Sequence, residues 1–274
     1  MKKALSLILA LILTVSMLGT MTACKQETLV VYTEAGFAPF EYVSDGEIVG
    51  VDVEIMNLVG EKLGKKVVFE NVSFDTIVDA VAAGSLTNVG AAGISVTDER
   101  KEKVDFSKEY YTAELYVIYQ VNEAATFEST TTDNVTGIYW DSLAGKNIAV
   151  QDGTTADLFL GDELAEGGTI YNTGAEKTGF DALASAVADI GLNVDVLIID
   201  ELPAQKLIEG KSNLKCAPLY YKGADGEADE PAVDSYAICV TKGQDELLAA
   251  INEVLDELGS EGIQEMINRH LGIQ

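Results

Sequence analysis

Twice along this chain, short β-branched runs alternate with amphipathic helical stretches, and that order limits the fold more than any other feature. Residues 29–33 read as a strand. Asp52 reads as the cap of a helix whose apolar stripe is Ile55, Leu58, Val59 and Leu63, stopped by Gly64. Residues 67–69 form a strand, 75–82 a short helix closed by Gly84, and 89–94 a small-residue strand running into Ser95-Val-Thr97. Thr97 reads as an N-cap, with Asp98 and Glu99 favourable in the first turn. Residues 115–119 give a further strand. Parallel neighbours need crossover connections, so this βαβαβ order implies a mostly parallel sheet.

A second series follows a polar connection over 122–134. It comprises strand 148–150, Gly153-Thr-Thr155 before a helix opening at Ala156, strand 169–171, helix 180–189 and buried strand 195–199. Pro203 falls in the first turn of the next helix, where its missing N–H costs little. An acidic loop over 223–231 precedes strand 236–240. Helix 245–258 carries the stripe Leu247, Leu248, Ile251, Val254, Leu255 and Leu258, with Gly259 past its end. The expected architecture is α/β, with two lobes and a cleft between them. Residues 29–117 with 241–274 would form lobe 1, residues 121–234 lobe 2, and 118–120 with 235–240 the two crossing hinge strands.

Composition removes several classes of function. One histidine, His270, and three scattered cysteines are too few for a zinc cluster, and any histidine base would have to be that residue. The formal net charge of −27 repels phosphate backbones, so no nucleic-acid partner is expected. Lys2 and Lys3 precede an apolar run over 4–18 and then small residues up to Cys24. A charged start, an apolar stretch and a small-residue cleavage site describe an export signal. A membrane anchor is the alternative, because the apolar span approaches bilayer length. Cys24 directly after Thr22-Ala23 favours the signal, and the stretch resembles a bacterial lipoprotein leader, with Met21 where leucine is usual. Residues 1–23 would then be removed, Cys24 lipidated and 24–28 left as a tether, holding the body at the outer face of the cell membrane. No other segment is apolar enough to span a bilayer.

Six motifs carry a wider resemblance. They are Thr33-Glu-Ala-Gly-Phe-Ala-Pro-Phe-Glu41, Gly50-Val-Asp-Val-Glu54, Ala91-Ala-Gly-Ile-Ser-Val-Thr-Asp-Glu-Arg100, Val104-Asp-Phe-Ser107, Gln151-Asp-Gly-Thr-Thr155 and Ile198-Ile-Asp200. The start of the helix at Lys242-Gly-Gln-Asp-Glu-Leu-Leu248 continues the match. In this order and spacing they resemble the polar amino-acid-binding proteins of bacterial ABC importers, solute-binding protein family 3. The resemblance implies a type II periplasmic-binding-protein-like fold whose lobes close on one free L-amino acid and deliver it to a permease with its ATPase subunits. It implies a monomer with no cofactor, no metal and no catalytic residues. Asn88, where aspartate is common, and a long turn over 186–193 depart from the pattern.

Chemistry and resemblance meet at the cleft. Burying a free amino acid requires a partner for each charge. Arg100 can offer a carboxylate its planar fork; by itself it reads rather as a surface partner of Glu99 or Glu102, and the motif over 91–100 turns the reading to the cleft. Thr155 opens a helix whose N–H groups form an anion site, and the resemblance makes it a second carboxylate contact; a plain threonine cap is compatible with that. Asp200 ends a buried strand and either meets the ligand ammonium, as the resemblance implies, or caps the helix at Pro203. Gly93 and Ser95 would add a carbonyl and a hydroxyl. Phe37 and Phe74 match aromatic walls around the ligand side chain, with core packing as the alternative. Glu34 faces the distal end of the ligand or stays solvated. Once Arg100 and Asp200 match the head group, Glu34 is an uncompensated carboxylate unless the ligand side chain is a cation. The expected order is therefore arginine or lysine, then histidine or glutamine, with glutamate excluded. A dehydratase-type enzyme on the same fold is the rival reading, and a sensor module a third. Cys216 and Cys239 are expected to be free and buried.

Overall fold

The computed structural model describes residues 27–224 and 227–273; the expected leader over 1–23 and Cys24 lie outside them. Among the described residues no helix is long and apolar enough to cross a membrane.

Strand Thr28–Thr33 lies between Lys66–Asn71 and Val89–Ser95, parallel to both. On the other side, Asn147–Gln151 lies between Glu176–Phe180 and Val196–Asp200, again parallel. The repeated strand–helix order thus yields two parallel sheets, as the crossover rule requires. Two longer strands join them. Val233–Val240 runs antiparallel beside Val89–Ser95, and Tyr111–Gln120 runs antiparallel beside Val196–Asp200. The two meet where Tyr111, Thr112, Ala113 and Glu114 pair with Tyr236, Ser235, Asp234 and Val233. From Leu115 onward the first of them is already paired with Val196–Asp200. The crossing therefore lies N-terminal of residues 118–120, because the ladder changes partner at Glu114.

Local sequence explains the packing. Every residue of Val89–Ser95 is buried. A Cβ on Gly90 would stand 2.6 Å from Ile77 Cγ2 and 2.9 Å from Cys239 Sγ, so only a glycine fits between helix Phe74–Ala83 and the crossing strand. One core packs helices Val51–Leu63 and Asp245–Leu271 on the sheet through Ile55, Val59, Ile251, Val254 and Met266. Another gathers Trp140, Ile148, Val150, Leu160, Ile198 and Leu219 in the second half.

Four local readings change. Gly50, not Asp52, is the N-cap of Val51–Leu63, and Asp52 is buried in the first turn. Residues 169–171 form turns, with Ile170 buried as an anchor, and the strand is Glu176–Phe180. That strand pairs on one side only, and an edge tolerates the charges that hid it. The following helix starts at Leu183, since Phe180 is still in the strand. Gly259 does not end the last helix: it kinks it at φ 57°, and the helix resumes to Leu271. Cys216 and Cys239 are both free, the first half-buried and the second buried.

Candidate functional site

The ends of several strands converge where the two halves face each other. Glu34 follows Thr28–Thr33, Ser95 and Gln151 close their strands, and Asp200 closes Val196–Asp200. Ligand crevices form outside the carboxyl ends of parallel strands for this reason. A nearly closed cleft lies there, and Glu34, Phe37, Phe74, Gly93, Ser95, Thr155 and Asp200 all line it. Of the expected site residues only Arg100 is absent from the wall.

Two adjacent threonines divide the work at the helix start. The Thr154 side chain accepts from Asp157 N at 3.3 Å and donates to Gln151 O at 2.8 Å, which makes Thr154 the cap of Thr155–Leu164. Thr155 is left free to face the cleft, where its hydroxyl oxygen lies 3.2 Å from that of Ser95 on the opposite lobe. Both also donate to Asp234 on the crossing strand.

Arg100 is buried and does not form the surface pair considered for it; Glu99 instead meets Lys103 at 3.4 Å. The Thr97 side chain accepts from Arg100 N at 3.1 Å, the N-cap expected of it. The guanidinium of Arg100 donates to Ser95 O at 2.7 Å and, across the cleft, to Gly153 O at 2.8 Å. It also lies 5.6 Å from the centre of the Phe74 ring. Burial pulls its pKa down, opposed chiefly by the negative charge of Asp234. In this arrangement Arg100 backs the cleft and ties its two sides together.

Asp200 occupies the N-cap position of Glu201–Ile208 yet makes no capping bond, so the capping alternative does not use its side chain. Its Oδ1 is buried without a partner. Burial, and then the nearby Asp234, push its pKa up to about 8. Glu34 is half-buried, and burial raises its pKa too.

The sequence reading missed one wall residue of consequence. Glu41 lines the cleft, is 0% exposed, and both of its carboxylate oxygens lack a partner. Burial raises its pKa strongly, and the charges of Asp52 and Glu34 raise it further. Behind it, Asp52 accepts from Gly93 N at 3.0 Å and from the Tyr110 hydroxyl at 2.5 Å; burial still pushes its pKa up to about 6. The signal was present, since Glu41 closes a motif already singled out, next to the buried Phe40. It was passed over because a carboxylate beside a hairpin strand ordinarily points to water.

The cleft wall thus carries three carboxylates, Glu34, Glu41 and Asp200, and no lysine, arginine or histidine. Among the described residues no cluster of histidine, cysteine or carboxylate side chains is placed to hold a metal. Such a wall, which Phe37 and Phe74 share, is complementary to an organic cation.

Gly93 has φ +53°, and a Cβ there would stand 3.0 Å from the Phe37 ring. Left-handed backbone costs an ordinary L-residue about 1–2 kcal/mol, and the Phe37 ring, which lines the cleft, would have to give way. Gly93→Ala is expected to lower the melting temperature and to weaken ligand binding at least tenfold. Thermal denaturation and titration calorimetry on the variant check both.

The profile of the bacterial extracellular solute-binding proteins, family 3, matches residues 29–273. The chain belongs to this family. The L-arginine-binding protein of Pseudomonas aeruginosa is 26% identical, with 97% of this chain and 95% of that protein covered. Among solved structures, an amino acid ABC transporter substrate-binding protein from Streptococcus pneumoniae bound to L-arginine superposes with a TM-score of 0.74. It is 27% identical, and 89% of this chain and 94% of that one are covered. An ancestral arginine-binding protein bound to glutamine gives a TM-score of 0.69 at 27% identity, over 90% and 99% of the two chains. These relatives are binding proteins, and the two-lobed α/β architecture of this family member is theirs.

Proposed function

We propose that this family 3 protein is the extracytoplasmic substrate-binding component of an amino-acid ABC transporter, and that it closes on a basic amino acid, arginine before lysine. The observation that carries the reading is the cleft wall of three carboxylates with no basic side chain. The arginine ligands of its relatives support it. Asp200 takes the ligand ammonium, Glu34 and Glu41 the side-chain cation, and Phe37 and Phe74 flank that cation. Ser95, Thr155 and the carbonyl of Gly93 address the head group. Arg100 supplies positive potential from behind and links the lobes. The protein catalyses no reaction in this reading; it works as a monomer, tethered through lipidated Cys24 at the outer face of the cell membrane, and hands its ligand to a permease with its ATPase subunits.

Glutamine is the second reading, favoured by the amide of Gln151 in the wall and by the ancestral relative that holds glutamine. Titration calorimetry of the mature protein separates the two. Arginine is expected to bind most tightly and glutamate not at all; glutamine binding ten times tighter than both arginine and lysine sinks the basic assignment. A ligand that bridges two lobes favours their closed arrangement only by its differential affinity for it. Small-angle scattering is expected to show a smaller radius of gyration at saturating arginine.

A further inference from the structure

Asp234 was not singled out in the sequence, yet it sits behind the cleft wall and engages Ser95 and Thr155, wall residues from its two sides. It lies on the crossing strand Val233–Val240, where it pairs with Ala113. One of its oxygens, Oδ2, accepts from the Ser95 hydroxyl of one lobe and from the Thr155 hydroxyl of the other. Its second oxygen, Oδ1, accepts from Ser235 N at 2.7 Å.

A hydroxyl has one proton to donate. With both protons directed at Asp234, neither Ser95 nor Thr155 has one left for a ligand carboxylate. Two of the five N–H donors of Arg100 are also engaged, one on Ser95 O at 2.7 Å and one on Gly153 O at 2.8 Å. Arg100 still feels the charge of Asp234 as its main compensating anion. Each side-chain group that would receive an amino acid's α-carboxylate already serves a carboxylate or carbonyl of the protein itself. The rest of the wall, with Glu34, Glu41 and the unpartnered oxygen of Asp200, asks only for positive charge.

We propose that Asp234 is an internal carboxylate seated where a ligand's α-carboxylate would go, so that the site binds cationic amines lacking that group comparably with their parent amino acids. This rests on the basic-ligand reading and specifies its substrate class. A dicationic alkylamine would place one charge between Asp200 and Asp234 and the other against Glu41 and Glu34. An amino acid would have to displace Asp234 from the two hydroxyls before its own carboxylate could enter.

The test is parallel calorimetric titration of the mature protein with arginine and with agmatine, which is arginine without its carboxylate. Agmatine is expected to bind within tenfold of arginine, or more tightly. Asp234→Ala and the isosteric Asp234→Asn are each expected to shift the ratio of the two affinities at least tenfold towards arginine. A purely structural Asp234 would weaken both ligands alike and leave that ratio unmoved, which overturns the proposal, as does wild-type agmatine binding more than tenfold weaker than arginine. Tight arginine with weak agmatine sinks this inference alone. If neither cation binds while glutamine does, the basic-ligand reading falls and takes this inference with it.

Discussion

Asp200→Asn is expected to remove tight ligand binding and, in the same molecule, to make the ligand-free protein more stable. The two effects have one cause. Asp200 is buried at the end of Val196–Asp200 with Oδ1 unpartnered, and burial followed by the charge of Asp234 raises its pKa to about 8. A buried carboxylate with one oxygen left unpaired costs the empty fold energy, and the bonds it does have from Tyr236 and the backbone do not offset its burial. Removing one member of a buried charge pair costs on the order of 2–5 kcal/mol of binding, or roughly thirty- to several-thousand-fold in Kd. The pH dependence has a definite sign. In an unfolded chain an aspartate loses its proton near pH 4, whereas here it keeps it until about pH 8. Between those limits the native state holds the extra proton, so this group's contribution to stability falls as pH rises through the window. Asp200→Asn is expected to remove that slope and to melt at a higher temperature than wild type at pH 8, without ligand in both cases. Equal melting temperatures at pH 8, or retained arginine affinity, would show that Asp200 is solvated and outside the site.

Opposite signs for binding and stability distinguish a functional carboxylate from one that holds the fold. Asp52 shows the contrast. It too is buried, but Gly93 N and the Tyr110 hydroxyl both donate to it, and it fixes the strand whose glycine faces the ligand space. Its position beneath Glu41 and Gly93 makes it a support for the wall.

Much of this arrangement was legible in the sequence because it follows from period and punctuation. Gly84 and Gly64 close their helices in left-handed conformation as expected. The alternation of strands and helices placed Thr155 and Asp200 at strand ends facing the cleft, and the family resemblance added Ser95. Reading failed where tertiary context outweighed local pattern. The charged strand Glu176–Phe180 has no apolar alternation, and only its place beside Asn147–Gln151 makes it a strand. Asp234 looks like a surface acid because the groups that engage it come from chain segments far away in sequence. Asp234 is the clearest case: Ser95 and Thr155, which engage it, are 139 and 79 residues distant. No local window contains that contact. Arg100 was singled out, but its carbonyl partners Ser95 O and Gly153 O are backbone groups that no side-chain pattern reports.

Glu41→Gln is expected to lower arginine affinity by a hundredfold or more while changing glutamine affinity less than tenfold. Glu41 is fully buried, with neither oxygen hydrogen-bonded, and Glu34 and Asp52 add like charge around it. A buried carboxyl of this kind, beside Asp52 and Glu34, gives up its proton only where a cation answers it in the working state, and a guanidinium can meet the resulting carboxylate with two parallel hydrogen bonds. The amide keeps the shape and one acceptor but loses the charge, so a cationic side chain suffers where a neutral one hardly does. Without ligand the effect reverses. Glu41 holds its proton well above the usual glutamate range, so wild-type stability should decline as pH rises from about 4 towards that raised pKa, and the glutamine variant should decline less. The measurement is a pair of melting curves at pH 5 and pH 8 for each protein, together with titrations of arginine and glutamine at pH 8. If Glu41→Gln weakens both ligands equally, Glu41 shapes the wall without reading charge. If it weakens neither, the side-chain cation is matched by Glu34 alone, and Glu34→Gln must then carry the whole loss of arginine affinity.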